Sequence, residues 1–122
     1  MVKISNLFWI SKDAMEAEVT ITDGIYEIVC FSQPCDLKIN QQIFEPIYCM
    51  NNTNVVKSEN EEFYVEKLKE TFEYNITGKL IDRKCGLVEV GNIIIQLEKG
   101  SLPGGVEENK YLNFNCQRLD IY

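Results

Sequence analysis

Two stretches in which apolar and polar residues alternate around a tight turn limit most strongly how this chain can fold. The first is EAEVTITDGIYEIVCF at residues 16–31, with Asp23-Gly24 near its centre, and the second is GLVEVGNIIIQLE at 86–98, with Gly91-Asn92. Period-two alternation is typical of strands that bury one face, and these dipeptides favour two-residue hairpin turns. The sequence therefore predicts two antiparallel β-hairpins.

A two-residue turn also fixes which residues face each other across a hairpin. In the first hairpin it predicts three cross-strand pairs, which are Ile21 with Tyr26, Val19 with Ile28, and Ala17 with Cys30. In the second it predicts Val90 opposite Ile93 and Val88 opposite Ile95. A slip of one residue would exchange the apolar and polar faces, so each hairpin is expected to bury one face.

Apolar runs at 2–10, 43–50, 72–80 and 111–119 are consistent with further strands. Segments 25–49 and 93–116 also form a weak internal repeat, since each contains a strand, a proline loop, a polar turn, a second strand and a cysteine. A chain of 122 residues is long enough for one hydrophobic core. We therefore predict a mainly β, single-domain antiparallel barrel over residues 1–122, because closure removes unpaired strand edges.

The segment 58–72 departs from this alternation. On a helical wheel its apolar residues occupy one arc and five glutamates another, which are Glu59, Glu62, Glu66, Glu70 and Glu73. Ser58 and Glu61 fit a capping box, so one short α-helix is predicted at about 59–71. A strand hairpin that turns near Lys69-Glu70 is the alternative. A barrel interrupted by one helix resembles the OB-fold in outline, which implies an architecture and not a function.

The five cysteines, Cys30, Cys35, Cys49, Cys85 and Cys116, occur in a chain without histidine. A redox motif usually separates its thiols by two residues, and a zinc site needs about four Cys or His ligands. Here four residues separate Cys30 from Cys35, and no other two thiols are close in sequence. We therefore expect free, partly buried structural thiols, with no metal and no cofactor.

No residue pattern in the sequence indicates a catalytic site. Without histidine, the commonest general base and the His-based triads are absent. Gly104-Gly105 follows a proline and precedes no lysine, so it does not resemble a phosphate-binding loop. Carboxylates remain as candidate acid–base pairs, and these are Asp82, Glu89, Glu98 and Asp120. Nothing selects among them, and we expect that the protein is not an enzyme.

The charge of the chain favours a basic partner. Twelve basic and nineteen acidic residues give a net charge of −7, which repels nucleic acid. Six glutamates and two lysines at residues 59–73 supply −4 of this charge. We expect a small acidic domain that binds a basic protein, as immunity or antitoxin-like proteins do, through Glu59, Glu62, Glu66, Glu70 and Glu73.

The location expected from the sequence is cytoplasmic. The N-terminal residues lack the continuous apolar core of a signal peptide. No run of about 18 apolar residues occurs, so no membrane association is expected.

The alternative function is an OB-like module that binds a small ligand, a sugar or a peptide. Trp9 is the only tryptophan, and aromatic residues on a barrel face can stack on bases or sugars. Arg118, near the end of the last predicted strand, is a candidate anion-binding residue. The simpler interpretations are structural: strand alternation sends Phe8 or Trp9 into the core, and Arg118 pairs with Asp120 or Asp82.

Overall fold

The computed structural model describes residues 1–68 and 72–121, and these residues form nine β-strands and no helix. In chain order the strands are β1 (Lys3–Ser11), β2 (Glu16–Thr22), β3 (Glu27–Ser32), β4 (Ile47–Lys57), β5 (Tyr64–Lys67), β6 (Tyr74–Asp82), β7 (Leu87–Val90), β8 (Ile93–Gln96) and β9 (Tyr111–Asp120). The predicted mainly β fold is confirmed. The short helix predicted at about 59–71 is wrong, because the described part of that segment contains β5.

Five strands close into a barrel in the order β4, β8, β7, β6 and β9, and β9 then pairs with β4. The pairs in this ring are antiparallel, except that β4 and β8 are parallel where Ile47 lies opposite Ile95. Alternate residues point inward, and Ile76, Val88 and Phe114 are fully buried there. The predicted small barrel is therefore confirmed.

The first three strands form a meander that packs on this barrel. β3 lies beside β9 through the pair Phe31 and Asp120, beyond the point where β6 leaves β9 at Cys116. The Val29 N–H donates a hydrogen bond to the Tyr74 hydroxyl at 2.9 Å, which ties β3 to β6. The buried residues of the meander and the barrel belong to one hydrophobic cluster, so the two parts share a core.

The second hairpin has the predicted register, with Val90 opposite Ile93 and Val88 opposite Ile95. The register predicted for the first hairpin is wrong by two residues. The observed pairs are Ile21 with Ile28, Val19 with Cys30, and Ala17 with Ser32, which leaves a loop at residues 23–26. The longer loop forms because the Asp23 carboxylate accepts the N–H groups of Ile25 and Tyr26. A shift of two residues keeps each side chain on its predicted face.

The alternative to the helix, a strand hairpin, is what the chain forms. β5 pairs with β6 from Tyr64 opposite Thr77 to Lys67 opposite Tyr74. This pairing satisfies main-chain groups on a side of β6 that a helix would leave open. Ser58 accepts the N–H of Asn60 in a local turn, so the predicted capping box with Glu61 does not form. The expected turn residues Lys69 and Glu70 lie outside the described part of the chain.

The cysteines differ in part from the prediction of free thiols. Cys49 on β4 and Cys116 on β9 form a disulfide, with Cα atoms 5.9 Å apart and a sequence separation of 67. Cys30, Cys35 and Cys85 are free, and the first two are buried. Burial, with a smaller contribution from the charge of Asp120, raises the pKa of the Cys30 thiol. The prediction is therefore wrong for one pair, which the fold brings together from distant positions.

The meander of β1, β2 and β3 and the consecutive antiparallel strands β6, β7 and β8 share local features. At the turn after β1, the Ala14 N–H donates to the Ser11 hydroxyl, and at the turn after β6 the Cys85 N–H donates to the Asp82 carboxylate. In the loops before β4 and β9, Asn40 and Asn109 have φ angles of 72° and 73°. Of these similarities only the one between Asn40 and Asn109 falls within the segments 25–49 and 93–116, and the internal repeat stays a prediction.

Candidate functional site

The glutamates singled out from the sequence line one border of the sheet. Glu59 and Glu62 lie in the connection between β4 and β5, Glu66 lies on β5, and Glu73 precedes β6. All four are exposed, as is Glu61, whereas Glu70 lies outside the described residues. They do not share a helical face as predicted, because the segment is extended. We call Glu59, Glu61, Glu62, Glu66 and Glu73 the acidic border.

An aromatic residue stands within the acidic border. Tyr64 on β5 is 45% exposed, and its hydroxyl donates a hydrogen bond to Glu66, which raises the pKa of Tyr64. The preceding Phe63 turns the other way and packs against Tyr26, with ring centroids 6.1 Å apart, and Tyr111, at 5.6 Å. Phe63 thereby anchors the connection, so the acidic border is attached to both the meander and the barrel.

A polar cleft of about 340 Å³ separates this connection from the outer face of β6 and β9. Its floor is formed by Asn75, Thr77 and Asn113. The Asn75 amide donates to Asn113 at 3.1 Å and to Asn115 at 2.7 Å, and the Asn113 amide donates to Asn75 at 3.0 Å and to Thr77 at 2.9 Å. The alternation of asparagines along β9 is visible in the sequence. That Asn75 and Asn113 line one cleft with Tyr64 depends on the pairing of β5 with β6, which the sequence indicated only as the alternative to a helix.

Arg118 is engaged on two sides. Its guanidinium makes two hydrogen bonds to the Asp120 carboxylate, at 2.7 and 3.0 Å, and lies 4.2 Å from the centre of the Phe31 ring. Asp120 is only 4% exposed. The predicted structural pair with Asp120 is therefore confirmed, while Asp82 instead caps the turn at Cys85. An arginine paired in this way is largely neutralised, which weakens it as an anion site.

Trp9 and Arg118 do not form one site. Trp9 is partly buried on β1 and packs against the core, whereas the neighbouring Phe8 is 62% exposed. Arg118 lines a separate cleft of about 160 Å³ with Phe31 and Met50. The simpler interpretation of Trp9 as a core residue agrees with this position, and its role in ligand binding stays a prediction.

A further cleft, of about 400 Å³, is lined by several residues that include Arg83, Lys84, Cys85 and Lys99. The Arg83 guanidinium donates to the carbonyl oxygens of Val106, at 2.7 Å, and Pro103, at 3.2 Å. This arginine thus holds the loop between β8 and β9 in place. Arg83 and Lys84 are adjacent in the turn after β6, and Arg83 has a structural role there.

Within residues 1–68 and 72–121, no three Cys, Asp or Glu side chains converge in a way that could hold a metal ion. The same residues contain no helix that is long and apolar enough to cross a membrane.

Comparison with known proteins identifies the family of this chain. The family described as "Uncharacterised conserved protein UCP019853" matches residues 2–122, so the chain belongs to that family. No curated protein and no solved structure matches the chain.

Proposed function

We propose that this family member is a non-enzymatic domain that binds a basic protein partner, in the manner of an immunity or antitoxin-like protein. The observation that carries the proposal is the acidic border, where five exposed carboxylates occur in one segment with the exposed ring of Tyr64, which contacts Glu66. A concentrated negative field accelerates association with a cationic surface, and an exposed tyrosine provides the apolar contact that charges alone lack.

Three of the four carboxylates considered for acid–base chemistry have hydrogen-bond partners within the fold, which supports a non-enzymatic role. Asp120 binds Arg118, and Asp82 accepts the N–H of Cys85. Glu98 accepts the N–H of Asn52 at 3.2 Å, and Glu89 lies opposite Lys79 in the β6–β7 pair. A general base must reach a substrate proton, whereas the carboxylates of Asp82, Glu98 and Asp120 are engaged with groups of the fold.

The partner is sought by immobilising the chain, exposing it to lysate of the source cells at low salt, and identifying proteins that elute as salt is raised. We expect a basic protein at a stoichiometry near one to one. Replacement of Glu59, Glu62 and Glu66 by glutamine should slow its association about tenfold at low salt and flatten the salt dependence.

The matched control removes the same charge elsewhere. Asp36, Glu45 and Glu107 are exposed and lie outside the acidic border. The variant D36N/E45Q/E107Q should associate with the captured partner much faster than the variant E59Q/E62Q/E66Q does. Equal association rates for the two variants would contradict a role for the acidic border, and a captured partner that is itself acidic would contradict the proposed function.

The polar cleft favours a second candidate, which is binding of a neutral sugar. Amides and hydroxyls match the paired donors and acceptors of sugar hydroxyls, and Tyr64 offers a ring at the rim. This candidate ranks second because both amide hydrogens of Asn75 and of Asn113 are already used within the cleft. NMR titration with neutral oligosaccharides tests it: shifts at Asn113 that are lost in the Thr77→Val variant would support a sugar site.

A further inference from the structure

β1 is the last strand at one end of the sheet, and among residues 1–68 and 72–121 it pairs with the strand β2 and makes one isolated bridge from Lys3 to Gln42. Its beginning is covered, since the Ile4 N–H donates to the Gln41 carbonyl at 2.9 Å and the Ile43 N–H donates to the Val2 carbonyl at 2.8 Å. No described strand pairs with the other side of residues 6–10. We call these residues the open edge. Irregular pairing at Ser5 and Ile10 marks its two ends.

The main chain of the open edge presents hydrogen-bonding groups away from β2. The Leu7 N–H donates to the side-chain oxygen of its neighbour Asn6 at 3.0 Å, so this N–H points to the outer side. Donors and acceptors alternate in direction along a strand, which places the N–H and carbonyl of Trp9 on the same outer side as those of Leu7. Leu7 and Trp9 thus face an added strand, and the Leu7 N–H would exchange the Asn6 side-chain oxygen for a carbonyl of that strand.

Between the two irregular positions, the open edge lacks the charged side chains that commonly prevent strand addition. Residues 4–11, ISNLFWIS, contain no charged residue, and Phe8 and Ile10 are 62% and 47% exposed. β5, at the opposite end of the sheet, carries Glu66 and Lys67. Exposed edges are usually protected by charges, so the contrast indicates that the edge of β1 is kept free for pairing.

The neighbouring side chains specify a cationic segment. Phe8 lies opposite Glu18, and Glu18 lies opposite Phe31, so these three residues form one row across the outer face of the meander. At the far end of this row the Arg118 guanidinium already stacks on Phe31. A lysine or arginine of an added strand would stack in the same way on Phe8 and reach towards Glu18. Alternate residues would meet Leu7 and Trp9 on the other face.

We propose that residues 6–10 bind an extended segment of about five residues by strand addition, and that this segment alternates basic and apolar side chains. The inference rests on the proposed function for the basic character of the partner. To the proposed function this inference adds the location of a binding site, binding through main-chain hydrogen bonds, and the residue pattern of the recognised segment.

The probe is a labelled seven-residue peptide, acetyl-Val-Arg-Val-Arg-Val-Arg-Val-amide, followed by fluorescence anisotropy and by NMR of the Leu7 and Trp9 amides. Two further versions carry N-methyl groups, one on its arginines and the other on its valines. Only one set of N–H groups faces β1 in an added strand. One methylated peptide should therefore lose at least about tenfold in affinity while the other binds like the parent. A peptide with Glu in place of Arg should not bind.

Variants of the protein locate the site. Phe8→Ser should weaken peptide binding about fivefold or more, whereas Phe44→Ser should not, although Phe44 is 86% exposed. Thermal unfolding of both variants should match that of the parent, because neither side chain is buried. Equal binding of the two methylated peptides, or no binding of the parent peptide, would overturn strand addition at this edge. The proposed function would still stand if a basic partner were captured from the lysate and its association depended on the acidic border.

Discussion

At the scale of single residues, Asp23 connects the turns of the two hairpins. One carboxylate oxygen accepts the N–H groups of Ile25, at 3.0 Å, and Tyr26, at 2.9 Å, and the other accepts the N–H of Asn92 at 2.9 Å. A Cβ atom at Gly91, where φ is 58°, would overlap the second oxygen. The sequence marked Asp23 as a turn residue, but the bond to Asn92 joins positions 69 residues apart and depends on the folded barrel.

Asp23→Asn is expected to lower the free energy of unfolding by about 1–2 kcal/mol at pH 7, because an amide nitrogen cannot accept the Asn92 N–H. Burial alone would raise the pKa of Asp23, but the hydrogen bonds from Tyr26, Asn92 and Ile25 outweigh it and the pKa lies below its ordinary value. The carboxylate therefore stabilises the fold above its unfolded pKa, and this contribution is lost as the pH falls through the folded value.

Urea unfolding of the parent and of Asp23→Asn at pH 7 and near pH 3 measures this effect. The difference between the two proteins should narrow at the lower pH, where the parent carboxylate becomes protonated in part. A difference that is unchanged or larger at the lower pH would show that the charge of Asp23 does not contribute through these hydrogen bonds.

At the scale of elements, Gly78 allows β6 to pack closely against β7. A Cβ atom at this position would lie 2.5 Å from a methyl group of Val88 and 2.8 Å from the carbonyl oxygen of Glu89. Gly78→Ala should therefore lower the free energy of unfolding by about 1–3 kcal/mol, since the barrel must shift to admit a methyl group. Gly104→Ala is the matched control, because a Cβ there would meet nothing within 4 Å. Equal urea midpoints for the two variants would contradict this account.

Local patterns predicted the elements that depend on neighbours in sequence. Gly91-Asn92 gave the correct register of its hairpin, and the alternation of 16–31 gave the correct faces of the first hairpin. The segment 58–72 fits both a helix and a strand locally, and the contacts that distinguish them are distant, such as Val65 beside Ile76 and Phe63 against Tyr26. For the same reason the sequence identified glutamates of the acidic border but not their positions before, on and after β5.

At the scale of the whole molecule, the disulfide between Cys49 and Cys116 joins two neighbouring strands of the barrel. A crosslink that closes a long loop restricts the unfolded chain, and the chain-entropy estimate for loops of this size is about 4 kcal/mol. Disulfides are rare in reducing compartments such as the cytoplasm. The cytoplasmic location stays a prediction, and the oxidation state of Cys49 and Cys116 tests it.

Titration of thiols with Ellman's reagent, on protein purified without reductant, tests the oxidation state and the burial of all five cysteines together. In the native protein one thiol should react rapidly, because Cys85 is exposed while Cys30 and Cys35 are buried. The raised pKa of Cys30 further suppresses its reactive thiolate. Unfolding in urea should expose three thiols, and prior reduction should expose all five. Five reactive thiols in urea without reduction would show that Cys49 and Cys116 are not bonded. In that case dithiothreitol should also leave the melting temperature unchanged, whereas an intact disulfide predicts a clear decrease.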